Sequence, residues 1–153
     1  MEHFMQKAIE ESRSNLQGKE GGPFGAVIVR HDEIIATAHN RVLETNDPTM
    51  HAEIAAIRLA TQKLGTFDLS DCELYTSCEP CPMCLSAIIW AKIKRYYYAN
   101  TRKDAGEIGF DDDAIYDYLE GNKDACEIEG LQCCHEEARA VFAEWASAKR
   151  KMY

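Results

Sequence analysis

Three cysteines recur at every third residue in TSCEPCPMC (residues 76–84), where Cys78, Cys81 and Cys84 are threaded with Pro80 and Pro82. Several chemistries place thiols this close. A bacterial iron–sulfur run would need a fourth cysteine at position 88, which is Ile88, so that pattern breaks where it should complete. A redox pair at Cys81 and Cys84 is a better rival, because Cys-x-x-Cys at a helix start lowers a thiol pKa. Isolated free cysteines are otherwise small buried apolar residues. Two features count against both of these readings. The prolines stiffen the turn and put Cys81 and Cys84 at i and i+3 on one helical face, and His51 and Glu53 stand upstream in HAE at another helix start. A catalytic zinc takes three protein ligands and keeps a fourth position open, and His51, Cys81 and Cys84 supply three. Cys78 reads as structural, since a fourth ligand would close the site. Glu53, two residues from a ligand, can reach a water at the open position and shuttle its proton.

Those residues need two helix starts brought together. A first helix is predicted from Phe4 to Leu16, ending near Gly18, followed by the turn-rich GKEGGPFG. FGAVIVR and EIIATAH read as a β-hairpin, and HAEIAAIRLATQKLG as a helix closed by Gly65. CELYTS is a strand and CPMCLSAIIWAK a helix with Pro82 in its first turn. KRYYYAN is another strand, residues 101–121 are loop and short helix, ACEIEGLQC is a fifth strand, and EEARAVFAEWASAKRK a last helix. The order implies one mixed sheet with helices on both faces.

The bulk properties narrow the partners. A chain of 153 residues is the size of one domain, and no repeat or linker divides it, so 1–153 is read as a single unit. Its net charge of −9 argues against a protein that grips nucleic acid through its backbone. The charged first residues do not form a signal peptide, and no apolar run is long enough for a membrane span. The expectation is a cytoplasmic protein whose seven cysteines are thiols or metal ligands.

His51-Ala52-Glu53 followed after 29 residues by Pro80-Cys81-Pro82-Met83-Cys84 matches the H-x-E…P-C-x-x-C signature of zinc-dependent nucleobase deaminases. The chain resembles the cytidine deaminase-like superfamily over nearly its full length. The resemblance is nearer to small bacterial guanine deaminases, on GGPFGAVIV, NDPTMHAEIAAIR, LYTSCEPCPMC, GFDDD and the terminal tyrosine. It implies a three-layer α/β/α sandwich with a central mixed five-stranded sheet and one zinc per subunit. It also implies hydrolysis of guanine to xanthine and ammonia, in a homodimer whose C-terminal segments exchange. By matching position, Asn40 binds the purine carbonyl edge, Phe24 and Trp90 wall the ring, the Ala52 N–H donates to the substrate, Asp112 assists proton transfer, and Tyr153 folds over the site. Without the resemblance, Phe24 and Trp90 read as core aromatics, Asp111–Asp113 as a solvated acidic loop, and Tyr153 as a frayed end. Guanosine or cytosine is the alternative substrate. Adenosine in tRNA is a weaker alternative, because the chain is acidic.

Overall fold

A computed structural model describes all 153 residues. The run GAVIVR forms strand β1 (Gly25–Arg30), and its unbroken apolar character matches a strand buried on both faces. Ala26 and Ile28 pack on one side with a helix-lined cluster, and Val27 and Val29 on the other with Phe4 and Ala8. The chain reverses through His31 and Asp32, whose positive φ values of 49° and 62° are those a two-residue hairpin turn needs to match the right-handed twist of its strands. Strand β2 (Glu33–His39) returns antiparallel, with a bulge where the register shifts between Ile28 and Val29.

Strand β3 (Cys72–Cys78) pairs antiparallel with the far edge of β1, and β4 (Tyr96–Asn100) runs parallel to β3, giving the order β2-β1-β3-β4. Helix α1 (Glu2–Arg13) covers one face. Helix α3 (Ala52–Leu64) and helix α4 (Pro82–Trp90), the crossover between the parallel pair, contribute to the core of the other. A four-residue helix, α2 (Val42–Thr45), lies between β2 and α3. The layers are therefore helix, mixed sheet, helix.

The sheet has four strands rather than five. ACEIEGLQC does not become a strand in this chain, and its aliphatic residues Ile128 and Leu131 are exposed. They stand three residues apart with Gly130 between, so the segment lacks the period-two pattern that would seat it on a sheet face. Residues 101–121 hold two short helices, α5 (Arg102–Glu107) and α6 (Asp113–Leu119). The last helix, α7 (His135–Ser147), is shorter at its C-terminal end than its sequence suggests and is exposed along its whole length. No helix is long and apolar enough to cross a membrane.

Helix α1 lies directly against Gly25. A Cβ there would collide with the Ala8 carbonyl and fall 2.6 Å from the Ser12 nitrogen. Both obstacles are backbone, so the helix itself would have to move. Gly25→Ala is expected to destabilise the protein by about 1–3 kcal/mol, read as a lower urea midpoint at matched protein and zinc concentrations.

Candidate active site

Two helices start at one point. His51 is extended (φ −69°, ψ 163°) immediately before α3, and Cys81 is extended (φ −68°, ψ 168°) immediately before α4. Pro82 occupies the first position of α4, where a missing N–H costs no hydrogen bond. Cys84, two residues further on, returns to the same side of that first turn. His51 Nδ1 lies 3.5 Å from Cys81 Sγ and 3.4 Å from Cys84 Sγ, and all three donor atoms fall within 4.8 Å of one another.

A zinc ion fits these donors. Bonds of roughly 2.0–2.3 Å at tetrahedral angles put neighbouring nitrogen and sulfur donors about 3.6 Å apart, close to the separations found. The donor chemistry agrees. Hydrogen bonding from Cys84 is the largest influence on Cys81, and with the His51 contact it lowers that thiol to about 4, despite burial. The same contact, with burial, pushes Cys84 far up, and the thiolate partner raises His51. The three groups thus hold a thiolate, a thiol and an imidazole that favours its protonated form at close range. A divalent cation that displaces those protons satisfies all three. The N-terminal dipoles of α3 and α4 add favourable potential for anionic sulfur.

Glu53 occupies the first turn of α3 and is 6% exposed. Burial is the main reason its carboxyl pKa is raised. It borders a cavity of about 360 Å³ together with His51, Cys81, Phe24 and Asn40. Asn40 is buried at the end of β2, and its Oδ1 accepts a hydrogen bond from the Val42 N–H, which leaves the amide NH2 available to the cavity. Ala52 is the first residue of α3, where a backbone N–H has no partner within the helix. Cys84 is wholly buried behind Cys81.

Three of the expected contacts lie elsewhere in this chain. Trp90 ends α4 and is exposed, with its ring 6.3 Å from that of Tyr153, so neither borders the cavity. Tyr153 also meets Phe67 edge-on at 6.2 Å. Asp112 stands outside the lining, where Arg102 Nε donates to it at 3.3 Å. Burial raises its carboxyl pKa, and the thiolate of Cys81 adds to this, whereas Arg102 opposes the shift. Arg102 also lies 3.6 Å from the centre of the Tyr116 ring, and the Tyr116 hydroxyl donates to the Pro80 carbonyl in the cysteine loop.

The second aromatic wall is Phe110, edge-on to Phe24 with centroids 4.9 Å apart. Its signal lies in GFDDD, where Phe110 immediately precedes the three aspartates. Leu43 and Pro48 complete the apolar lining, and Cys78 and Glu79 border it at the end of β3. Nothing about Leu43 in sequence distinguishes it from a loop residue, because its role depends on how α2 folds back over the cavity.

The arrangement is shared with known proteins. The family model for the cytidine and deoxycytidylate deaminase zinc-binding region matches residues 1–100. Guanine deaminase of Bacillus subtilis (strain 168) is 45% identical over 99% of this chain and 98% of its own. Its X-ray structure superposes with a TM-score of 0.93 over the same share of both chains. A guanine deaminase structure from Nitrosomonas europaea gives a TM-score of 0.68 at 40% identity, over 72% of this chain and 64% of that one. A tRNA-specific adenosine deaminase of Agrobacterium fabrum (strain C58) is 44% identical, over 69% of each chain. With its His-Cys-Cys cluster and buried glutamate on this fold, the chain belongs to the zinc-binding cytidine and deoxycytidylate deaminase family.

Proposed function

We propose that this chain is a guanine deaminase, hydrolysing guanine to xanthine and ammonia with one zinc per subunit. One observation carries the substrate reading: likeness to the guanine deaminase extends over 99% of the chain, whereas likeness to the tRNA-specific enzyme covers 69%. The segments outside the zinc-binding region therefore follow the guanine enzyme. The cavity agrees, with two aromatic rings, one amide and one buried carboxyl suited to a planar aminated heterocycle. A net charge of −9 disfavours a tRNA substrate.

Zinc, when bound by His51, Cys81 and Cys84, supplies a Lewis acid that brings the pKa of water toward neutrality. Glu53 carries the protons. Its raised pKa suits it to take one proton from the attacking water and pass it to a ring nitrogen, and then to take the remaining proton of the added hydroxyl and pass it to the departing amine, so that ammonia leaves as the carbonyl forms. Asn40 presents its NH2 to the carbonyl edge of the base, and the Ala52 N–H donates to the substrate. Phe24 and Phe110, packed edge to face against each other, form one apolar wall for the ring and exclude water. Asp112, held by Arg102, assists proton transfer at the exocyclic amine.

The reading extends to a homodimer with exchanged C-terminal segments in the cytoplasm. Two features support the exchange. The segment from Glu127 to Tyr153 is exposed throughout, including Val141, Phe142 and Trp145, and Tyr153 stands away from the cavity of its own chain. In an exchanged dimer, Trp90 and Tyr153 would close over a site between two chains.

Incubating the purified protein with guanine, guanosine, cytosine and an anticodon stem-loop RNA, and following ammonia release, tests the substrate. Release from guanine is expected, and release from cytosine or RNA alone would overturn the reading. Glu53→Gln should retain stoichiometric zinc by metal analysis while kcat falls by roughly 10²- to 10⁴-fold. Chelation should abolish turnover, and zinc should restore it at one equivalent per chain. For the exchange, co-refolding Glu53→Gln chains with chains lacking Tyr153 should regain activity that neither has alone. No regain would refute shared sites.

A further inference from the structure

His39 is the last residue of β2, and its imidazole lies between two carboxylates from different parts of the chain. Nδ1 is 3.0 Å from Oε2 of Glu11 on α1, and Nε2 contacts Oε2 of Glu20 in the turn-rich segment before β1. Neither carboxylate can donate when ionised, so both ring nitrogens must carry protons for both contacts to hold. The neighbouring charges on the same side are Arg41 and Glu44, paired with each other at 2.8 Å, and Arg58 of α3. No other cation is paired with Glu11 or Glu20.

The segment that Glu20 begins forms one wall of the cavity, through Gly21, Gly22 and Phe24. Gly21 is pressed against Asn40, and a Cβ there would collide with Asn40 Oδ1 and lie 2.6 Å from the Asn40 carbonyl oxygen. The Glu20 carbonyl accepts from the N–H groups of Leu43 (2.9 Å) and Glu44 (3.0 Å), tying the segment to α2. Asn15 Nδ2 donates to the carbonyls of Gly22 and Asn40, at 2.8 Å each. His39 is the titratable member of this set of cross-links, one residue before Asn40.

We propose that His39 is a positioning residue: as a doubly protonated imidazolium it clamps Glu20 to Glu11, holding the Glu20–Phe24 segment against Asn40 and so setting substrate affinity. This rests on the reading that the cavity binds the aminated base. Burial alone lowers the His39 pKa, but the hydrogen bonds and charges of Glu20 and Glu11 outweigh it, and the net shift is upward. A raised folded-state pKa means the clamp is complete below the ordinary histidine value of about 6.5 and is released as pH rises through the higher folded value. Deprotonation turns one nitrogen lone pair toward a carboxylate, and the segment loses a charge-assisted contact. The chemistry at Glu53 is untouched, so the effect falls on KM.

The test follows KM and kcat for guanine across the neutral to alkaline range, with amide hydrogen exchange of residues 20–24 measured at each pH on the zinc-loaded protein. The wild type should show KM rising and the protection of these amides, taken relative to their intrinsic base-catalysed rate, falling together with one alkaline inflection, while kcat changes little through that inflection. His39→Gln, which supplies one neutral donor, should raise KM roughly 3- to 10-fold at low pH and abolish the inflection. Glu20→Gln removes one carboxylate without touching β2 and should move the inflection to lower pH; it serves if His39→Gln does not fold. The proposal is overturned if KM and exchange match the wild type in both variants, or if kcat alone falls. If guanine is not a substrate, the exchange profile still decides the clamp, so the two failures are separable.

Discussion

One imidazole and two cysteine sulfurs, held within hydrogen-bonding distance at the starts of two helices, are the constraint around which this fold is arranged. His51, Cys81 and Cys84 converge because two helices begin at one point, and both donors preceding a helix adopt the same extended backbone. Two sulfurs and an imidazole nitrogen at this spacing offer three donors that a divalent cation can take up by displacing their protons. The sheet supplies the rigidity. β1 is buried on both sides, and β3 leads into the cysteine loop, so the loop is anchored to a strand that cannot shift without disturbing the core. The metal loop is tied from behind as well, through the Tyr116 hydroxyl on the Pro80 carbonyl.

Glu53 depends on the same geometry. Its position in the first turn of α3 follows from His51 standing just before that helix, and burial there does to a carboxyl what exposure would not. A carboxylate in water holds its proton weakly, while one at 6% exposure beside anionic sulfur holds it more strongly. The imidazole of His51 and the buried carboxyl of Glu53 are therefore two products of one helix start. The cavity walls come from other parts of the chain: the glycine segment before β1, the end of β2, α2, and the loop after α5.

Much of this was legible in the residues. Interval three in Cys81 and Cys84 fixes one helical face, and a proline suited to a first turn marks where that helix begins. The hairpin announced itself by two apolar runs around His31 and Asp32, and the crossover by strand, helix and strand in succession. Legibility stopped where the structure depends on contacts remote in sequence. Phe110 meets Phe24 across 86 positions, and no local pattern separates it from its neighbours. ACEIEGLQC has strand-forming residues but no partner within its own chain. Trp90 and Tyr153 gather at the surface, away from the cavity.

The outer side of β4 bears on how such chains behave in company. Tyr96–Asn100 ends the sheet with one row of backbone groups that no other strand of the same chain meets. Tyr98, Ala99 and Asn100 are exposed there, with neither a charge nor a proline to discourage a stranger. A border of that kind is a template. During synthesis or after partial thermal opening, an edge of this kind is where copies would stick to one another by main-chain pairing.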